Sequence, residues 1–239
     1  MVAIINSFKR RIVLTSGFIC YIIIVMKYYI IVAIMLTSGF AEAVEVQTGV
    51  SVKSKQILCT KPEPNLAYNA LQKIRIFVKK YKPSVIKHNL SKIVLCKKLS
   101  RYGLSWIRGT YLLENKAIFL EIDEHDDTLF VLHHEFSSIL MFKHKKINKK
   151  EWMSFNKEDY IRDWKKIDMN WQRNSHLQDK GFIFPYSQQS FEDDFNVMAG
   201  LYLSDVWNYS QILKVATKCT NINEKFKILK RYYNELIAH

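Results

Sequence analysis

Val131-Leu132-His133-His134-Glu135-Phe136-Ser137-Ser138-Ile139-Leu140 is the stretch on which the fold turns. Leu129, Leu132, Phe136, Ile139 and Leu140 recur at helical spacing, so the segment is expected to be a helix with one face in a core. That helix carries His134 and Glu135 in the order of an H-E-x-x-H motif, in which two imidazoles four residues apart share a face and grip zinc while the Glu takes a proton from metal-bound water. The second ligand position is Ser138, whose neutral hydroxyl is a poor zinc donor beside imidazole or carboxylate. Polar side chains this close to a buried stripe need partners, which is the physical ground for expecting a site here. A serine nucleophile built from Ser137 or Ser138 has no G-x-S-x-G elbow to support it.

Upstream, Lys92–Cys96 reads as a strand. Thr110–Leu113 and Ala117–Ile122 read as a hairpin around Glu114-Asn115-Lys116. A helix is expected from Asn65, as its cap, to Lys80, with Pro83 stopping it; Asp127 or Thr128 is positioned to cap the motif helix. Lys143 to Gln178, with Trp152, Trp164 and Trp171, reads as short helices and loops. Gly181 to Tyr186 is an extended or turn segment. Ser190 opens a helix over Phe191–Tyr202 whose first turn holds Glu192, Asp193 and Asp194, acidic residues that suit a helix N-terminus. In the last helix Ile222, Phe226, Leu229, Tyr233 and Leu236 form the apolar stripe, and Lys225, Lys227 and Arg231 fall off it.

Gly (7) and Pro (4) are too scarce in 239 residues to mark a second domain. The expected organisation is residues 1–43 as a leader, 44–64 as an N-terminal extension and 65–239 as one domain. Ile12 to Phe40 is apolar enough for a membrane segment. Its second half reads as a signal peptide that starts at Met26, with Ala41-Glu42-Ala43 as a small-x-small cleavage site. Both readings export the domain to the periplasm or the exterior; the alternatives are release and anchoring. Cys59, Cys96 and Cys219 then allow one disulfide and a free thiol, with the pair left open. The net charge of +14 favours acidic partners or a membrane surface. Nucleic-acid binding is not expected, because no RNA-binding aromatic signature or helix-turn-helix pattern accompanies the lysine clusters.

His133 to Leu140, taken with Gly181-Phe182, Pro185-Tyr186 and the run S-F-E-D-D-F-N-V-M at 190–198, resembles the zinc-binding metallopeptidase family of exported bacterial proteins. Members of that family are similar, at their ends, to the catalytic domain of anthrax lethal factor. The resemblance spans about Leu71 to Tyr202 and implies an α+β, zincin-like fold: a small twisted sheet packed on the motif helix, with a mostly helical C-terminal half. It implies His134 as the first zinc ligand, Glu135 as the general base, Asp193 or Glu192 as the third ligand, and Tyr186 as a hydrogen-bond donor to the oxyanion. Ser138 replaces the second His and Val197 the outer Glu that would orient a ligand. His133, His125, His144 or His176 are the candidate substitutes, His133 being disfavoured because adjacent helical residues diverge by about 100°. The implied activity is zinc-dependent hydrolysis of a peptide or protein substrate. The alternative is a catalytically inactive binding protein on the same fold, which recognises a peptide or glycan.

Overall fold

The computed structural model describes residues 44–48, 57–102, 107–124, 127–144, 147–156, 158–161, 163–168, 177–204 and 218–238, together with the backbone course of 23–26, 29–32 and 104–105. Nine strands form two sheets among these residues: β1 (Ile23–Met26), β2 (Tyr29–Val32), β3 (Glu45–Thr48), β4 (Ile57–Cys59), β5 (Lys92–Cys96), β6 (Leu99–Arg101), β7 (Leu104–Ser105), β8 (Gly109–Leu112) and β9 (Ala117–Glu121). The larger sheet runs β1-β2-β3-β5-β9-β8 and the smaller β4-β6-β7. β5 lies parallel to both β3 and β9. A parallel centre covered on both faces should be apolar throughout. Ile93, Val94, Leu95, Cys96, Ile118, Phe119 and Leu120 are accordingly all buried.

β8 closes one edge as the antiparallel partner of β9, with Tyr111 opposite Ile118. The intervening turn is the one expected at Glu114-Asn115-Lys116, and Lys116 takes a positive φ of 47° there. A disulfide joins Cys59 on β4 to Cys96 at the end of β5, and Cys219 takes no part in it. The pairing that the spacing left open is thereby chosen by the proximity of the two sheets.

Six helices complete the described fold: α1 (Pro64–Lys80), α2 (Pro83–Asn89), α3 (Thr128–His144), α4 (Lys149–Met153), α5 (Phe191–Ser204) and α6 (Thr220–Asn234). α1 begins one residue before the expected Asn65, with Pro64 in its first turn and Glu63 as a cap that makes no side-chain hydrogen bond. Proline is favoured there because its missing N–H is one that the first turn leaves unpaired. Pro83 likewise starts α2 rather than only stopping α1. Neither carboxylate oxygen of Asp127 is left for capping alone, since Arg108 donates to both, and Arg108 also pairs with Asp123.

α3 is the central helix, packed against α1, α5, β8 and β9. Ten of its residues are buried, from Leu129 to Leu140. A helix apolar on nearly every side belongs in an interior, and the few polar groups it carries must face specific partners. Among the described residues no helix is long and apolar enough to cross a membrane. The leader expected over 1–43 is described only through the backbone of β1 and β2.

Candidate functional site

Successive residues on α3 diverge by about 100°, so the two adjacent histidines go to different places. His133 is fully buried, with Nδ1 at 2.9 Å from the Tyr81 hydroxyl and its ring beside Phe77 and Tyr81. Burial, helped by the charge of Lys80, pulls its pKa down to about 3. His133 is thus a neutral core histidine, turned away from the other site residues, and it does not substitute for the missing ligand. His134 lies instead beside the Tyr186 ring, 6.1 Å between centroids, and burial pulls its pKa down to about 4. Its Nδ1 is buried with no hydrogen-bond partner among the described residues.

Glu135 comes from the same turn and is 8% exposed. Burial pushes its carboxyl up to about 8; Glu192 and Asp193 add to the rise, and Arg101 opposes it. β8 passes so close to Glu135 that a Cβ on Gly109 would sit 2.8 Å from Glu135 Cγ and Oε1 and 2.5 Å from Val131 Cγ1. The strand can approach the helix only because that residue is glycine.

The other wall is the first turn of α5 and the short 3-10 helix Pro185–Gln188 before it. Asp193 N–H donates to Ser190 Oγ at 3.1 Å, and the Ser190 hydroxyl returns a bond to Asp193 Oδ2 at 2.6 Å. Ser190 is thus the side-chain cap of α5, and the Asp193 carboxylate is engaged by that same hydroxyl. Burial, helped by the charge of Asp193, holds the phenol of Tyr186 well above its ordinary range. Asp193 is therefore tied to the helix cap and is also a site residue. Glu192, beside it on the exposed side, accepts from the Tyr111 hydroxyl at 2.9 Å.

Asp194, next along the helix, faces inward. It accepts from Trp152 Nε1 at 2.8 Å, from the Tyr160 hydroxyl at 2.9 Å and from Lys225 Nζ at 2.6 Å. Lys225 is completely buried, although it falls off the apolar stripe of its helix. Its ammonium also donates to the Gly181 carbonyl at 2.6 Å and lies over the rings of Trp152 and Phe182. Burial pushes the Asp194 carboxyl up and the Lys225 amine down, and their mutual attraction opposes both shifts. The pair pins α6 and the Gly181 turn to the start of α5, and so fixes where Glu192 and Asp193 stand.

The second-ligand position is occupied by a hydrogen bond. Ser138 Oγ accepts from Asn196 Nδ2 at 2.6 Å. Val197, where an outer Glu was expected, is buried at 2% exposure. His144 lies at the far end of α3 near Asn89, 3.5 Å from its Nδ2, while His125 and His176 fall outside the described residues. Among the described residues, no group of three or more His, Cys, Asp or Glu side chains is placed to hold a metal ion. His134, Glu135, Ser138, Tyr186, Glu192 and Asp193 are gathered, but they do not make the donor set of a three-ligand zinc site.

Tyr111, Asn196, Arg101 and Gly109 belong to this site and were not read from the sequence. Asn196 had a signal, since it stands three residues after Asp193 and one helical turn along the same face. Tyr111 had a weaker one, as an aromatic residue in the hairpin arm that leads into the motif helix.

Comparison with known proteins agrees with this architecture. A solved structure described as a "putative zinc-binding metallo-peptidase" from Bacteroides caccae superposes with a TM-score of 0.50 at 16% identity, covering 78% of this chain and 75% of that one, and shows the α+β, zincin-like fold. No curated protein matches the chain. The sequence profile of one family matches residues 110–238, from β8 to the C-terminus, and so takes in every site residue but Arg101 and Gly109. The chain belongs to the family described as "Putative zinc-binding metallo-peptidase".

Proposed function

We propose that this chain uses the family's active-site region to bind a polypeptide without hydrolysing it, as an exported domain that has given up its catalytic zinc. The observation that carries this reading is the Asn196–Ser138 hydrogen bond at the second-ligand position, in a site whose described residues offer no three-donor group. A serine paired in this way gains about 1 kcal/mol from a buried hydrogen bond and supplies no anionic or imidazole donor. Export is supported by the Cys59–Cys96 disulfide, a bond that persists in oxidising compartments.

Metal-dependent peptide hydrolysis is the second reading, and one observation favours it: His134, Glu135 and the Tyr186 hydroxyl remain together beside Asp193. In that case the missing ligand comes from outside the described residues, with His125 and His176 as the candidates. The two readings separate in one experiment. The purified protein is incubated with a pool of random octapeptides, with and without added zinc, then passed through an ultrafilter, and the retained peptides are weighed by mass spectrometry. Retention of intact peptides, unchanged by zinc, is expected. Zinc-dependent cleavage that disappears in Glu135→Gln would overturn the proposal in favour of the hydrolase.

A further inference from the structure

Residues 64–90, which form α1 and α2, carry six lysines and arginines and no aspartate or glutamate, and no acidic residue follows until Glu114. Later in that acid-free stretch, Lys92, Lys97 and Arg108 meet carboxylates from elsewhere in the chain, at Glu45, Glu63 and Asp127. The two helices present their charge to solvent instead: Lys79 and Lys87 are exposed, and the other four cations are partly so. A lysine-rich helix face is by itself an ordinary solvated surface. α1 departs from that pattern in what it places among its cations.

The helix turns Ala67, Ala70, Leu71, Ile74 and Phe77 into the core. Opposite them, Tyr68, Gln72, Arg75, Ile76 and Lys79 follow at spacings of three and four and share one outward stripe. Arg75 Nη1 donates to Gln72 Oε1 at 3.2 Å along it. Tyr68 is 59% and Ile76 54% exposed, so two of the six large hydrophobic side chains exposed among the described residues stand on this one stripe, interleaved with cations. The stripe points away from the candidate site. α1 meets α3 through Phe77 and the capping Tyr81, which pack on His133 and Phe136, whereas His134 and Glu135 leave α3 towards Tyr186 and Gly109.

We infer that the outer face of α1 rests on an anionic lipid surface, with Tyr68 and Ile76 at the boundary between headgroups and acyl chains and the cations of α1 and α2 against lipid phosphates. A helix lying in a membrane plane needs both parts: apolar side chains that enter the boundary, and lysines and arginines that are drawn to anionic lipid. Tyrosine suits that depth, because its ring is apolar while its hydroxyl stays wet. The acid-free run supplies the complementary charge, and the chain's net charge of +14 adds attraction at longer range. The surface is independent of what the site binds, and a lipid plane on this face leaves the site uncovered.

The test reads the stripe itself, so that adhesion through the apolar residues 12–40 is not mistaken for it. Tyr68→Trp adds a fluorescent reporter at an exposed position, and its emission is taken as the difference from the parent protein. Vesicles with brominated acyl chains are titrated in, made either of phosphatidylcholine alone or of phosphatidylcholine and phosphatidylglycerol in equal parts. The anionic vesicles are expected to quench the added emission about twofold or more, and the neutral ones to leave it unchanged. Lys79→Gln, placed on the same background, removes one cation from the surface and should raise the lipid concentration for half quenching about fivefold; high salt should raise it further. An added emission that the anionic vesicles leave unquenched would overturn the inference, and so would equal quenching by both kinds of vesicle. A shift of that emission on addition of polyglutamate, with no quenching by lipid, would assign the face to an acidic protein instead.

Discussion

Lys225→Met tests whether the buried ion pair sets the start of α5. The side chain is wholly buried, 2.6 Å from Asp194 Oδ2 and 2.6 Å from the Gly181 carbonyl. Methionine fills a similar volume, so the loss is one of charge and hydrogen bonding. Removing one member of a buried ion pair costs about 3–5 kcal/mol, because the other is left uncompensated. Asp194 would keep its bonds from Trp152 and Tyr160, which places the expected loss near the lower end, about 3 kcal/mol. For a chain of this size that lowers Tm by roughly 6–12 °C. Urea denaturation followed by tryptophan fluorescence reads it directly, since the Trp152 ring lies 5.3 Å from the Lys225 ammonium. Asp194→Asn combined with Lys225→Met should cost less than the two single losses added, by about 2 kcal/mol or more. A Lys225→Met protein within about 0.5 kcal/mol of the parent would refute the buried pair.

Three further outcomes follow from the same geometry. Gly109→Ala forces a methyl onto Val131 and Glu135, and should cost about 1–3 kcal/mol in urea denaturation and shift the Glu135 side chain; a neutral substitution would mean that β8 stands further from α3. Glu135 titrates at about 8 in the fold against an ordinary 4.5, so the stability tied to its protonated form is full below pH 4.5 and is lost as pH rises towards 8. Glu135→Gln should therefore be more stable than the parent at pH 8, by a few kcal/mol at most, and equal to it near pH 4.5, as seen in denaturation curves at the two pH values. The His133 pKa moves the other way, from 6.5 to about 3, so its contribution is present above pH 6.5 and is lost on acidification by about 1.4 kcal/mol per pH unit. His133→Gln should flatten that acid limb between pH 6.5 and 5; an unchanged slope would place the loss in other groups.

Periodicity made much of the frame legible. The strand at Lys92–Cys96 has the expected bounds, the hairpin turns at Glu114-Asn115-Lys116, and all five residues of the motif-helix stripe are buried. Local rules carry that information, because apolar spacing and turn residues act within a few positions. What was hidden depends on distant partners. Lys225 looks like a surface lysine until Asp194, 31 residues away, is brought against it. The Cys59–Cys96 pairing needs β4 beside β5, and the role of Asn196 depends on Ser138, 58 residues away. At the site, sequence could place His134 and Glu135 on one helix and Asp193 on another. It could not show that the hydroxyl at 138 would be taken up by an amide.

Zinc stoichiometry is the most direct test of the central claim. The purified protein is dialysed against micromolar zinc and then against metal-free buffer, and zinc per chain is measured by inductively coupled plasma mass spectrometry beside His134→Ala. A site that lacks its second ligand should retain well under about one-tenth of an ion per chain, with no difference between the two proteins. Close to one zinc per chain, lost in His134→Ala, would contradict the account and restore the metal centre.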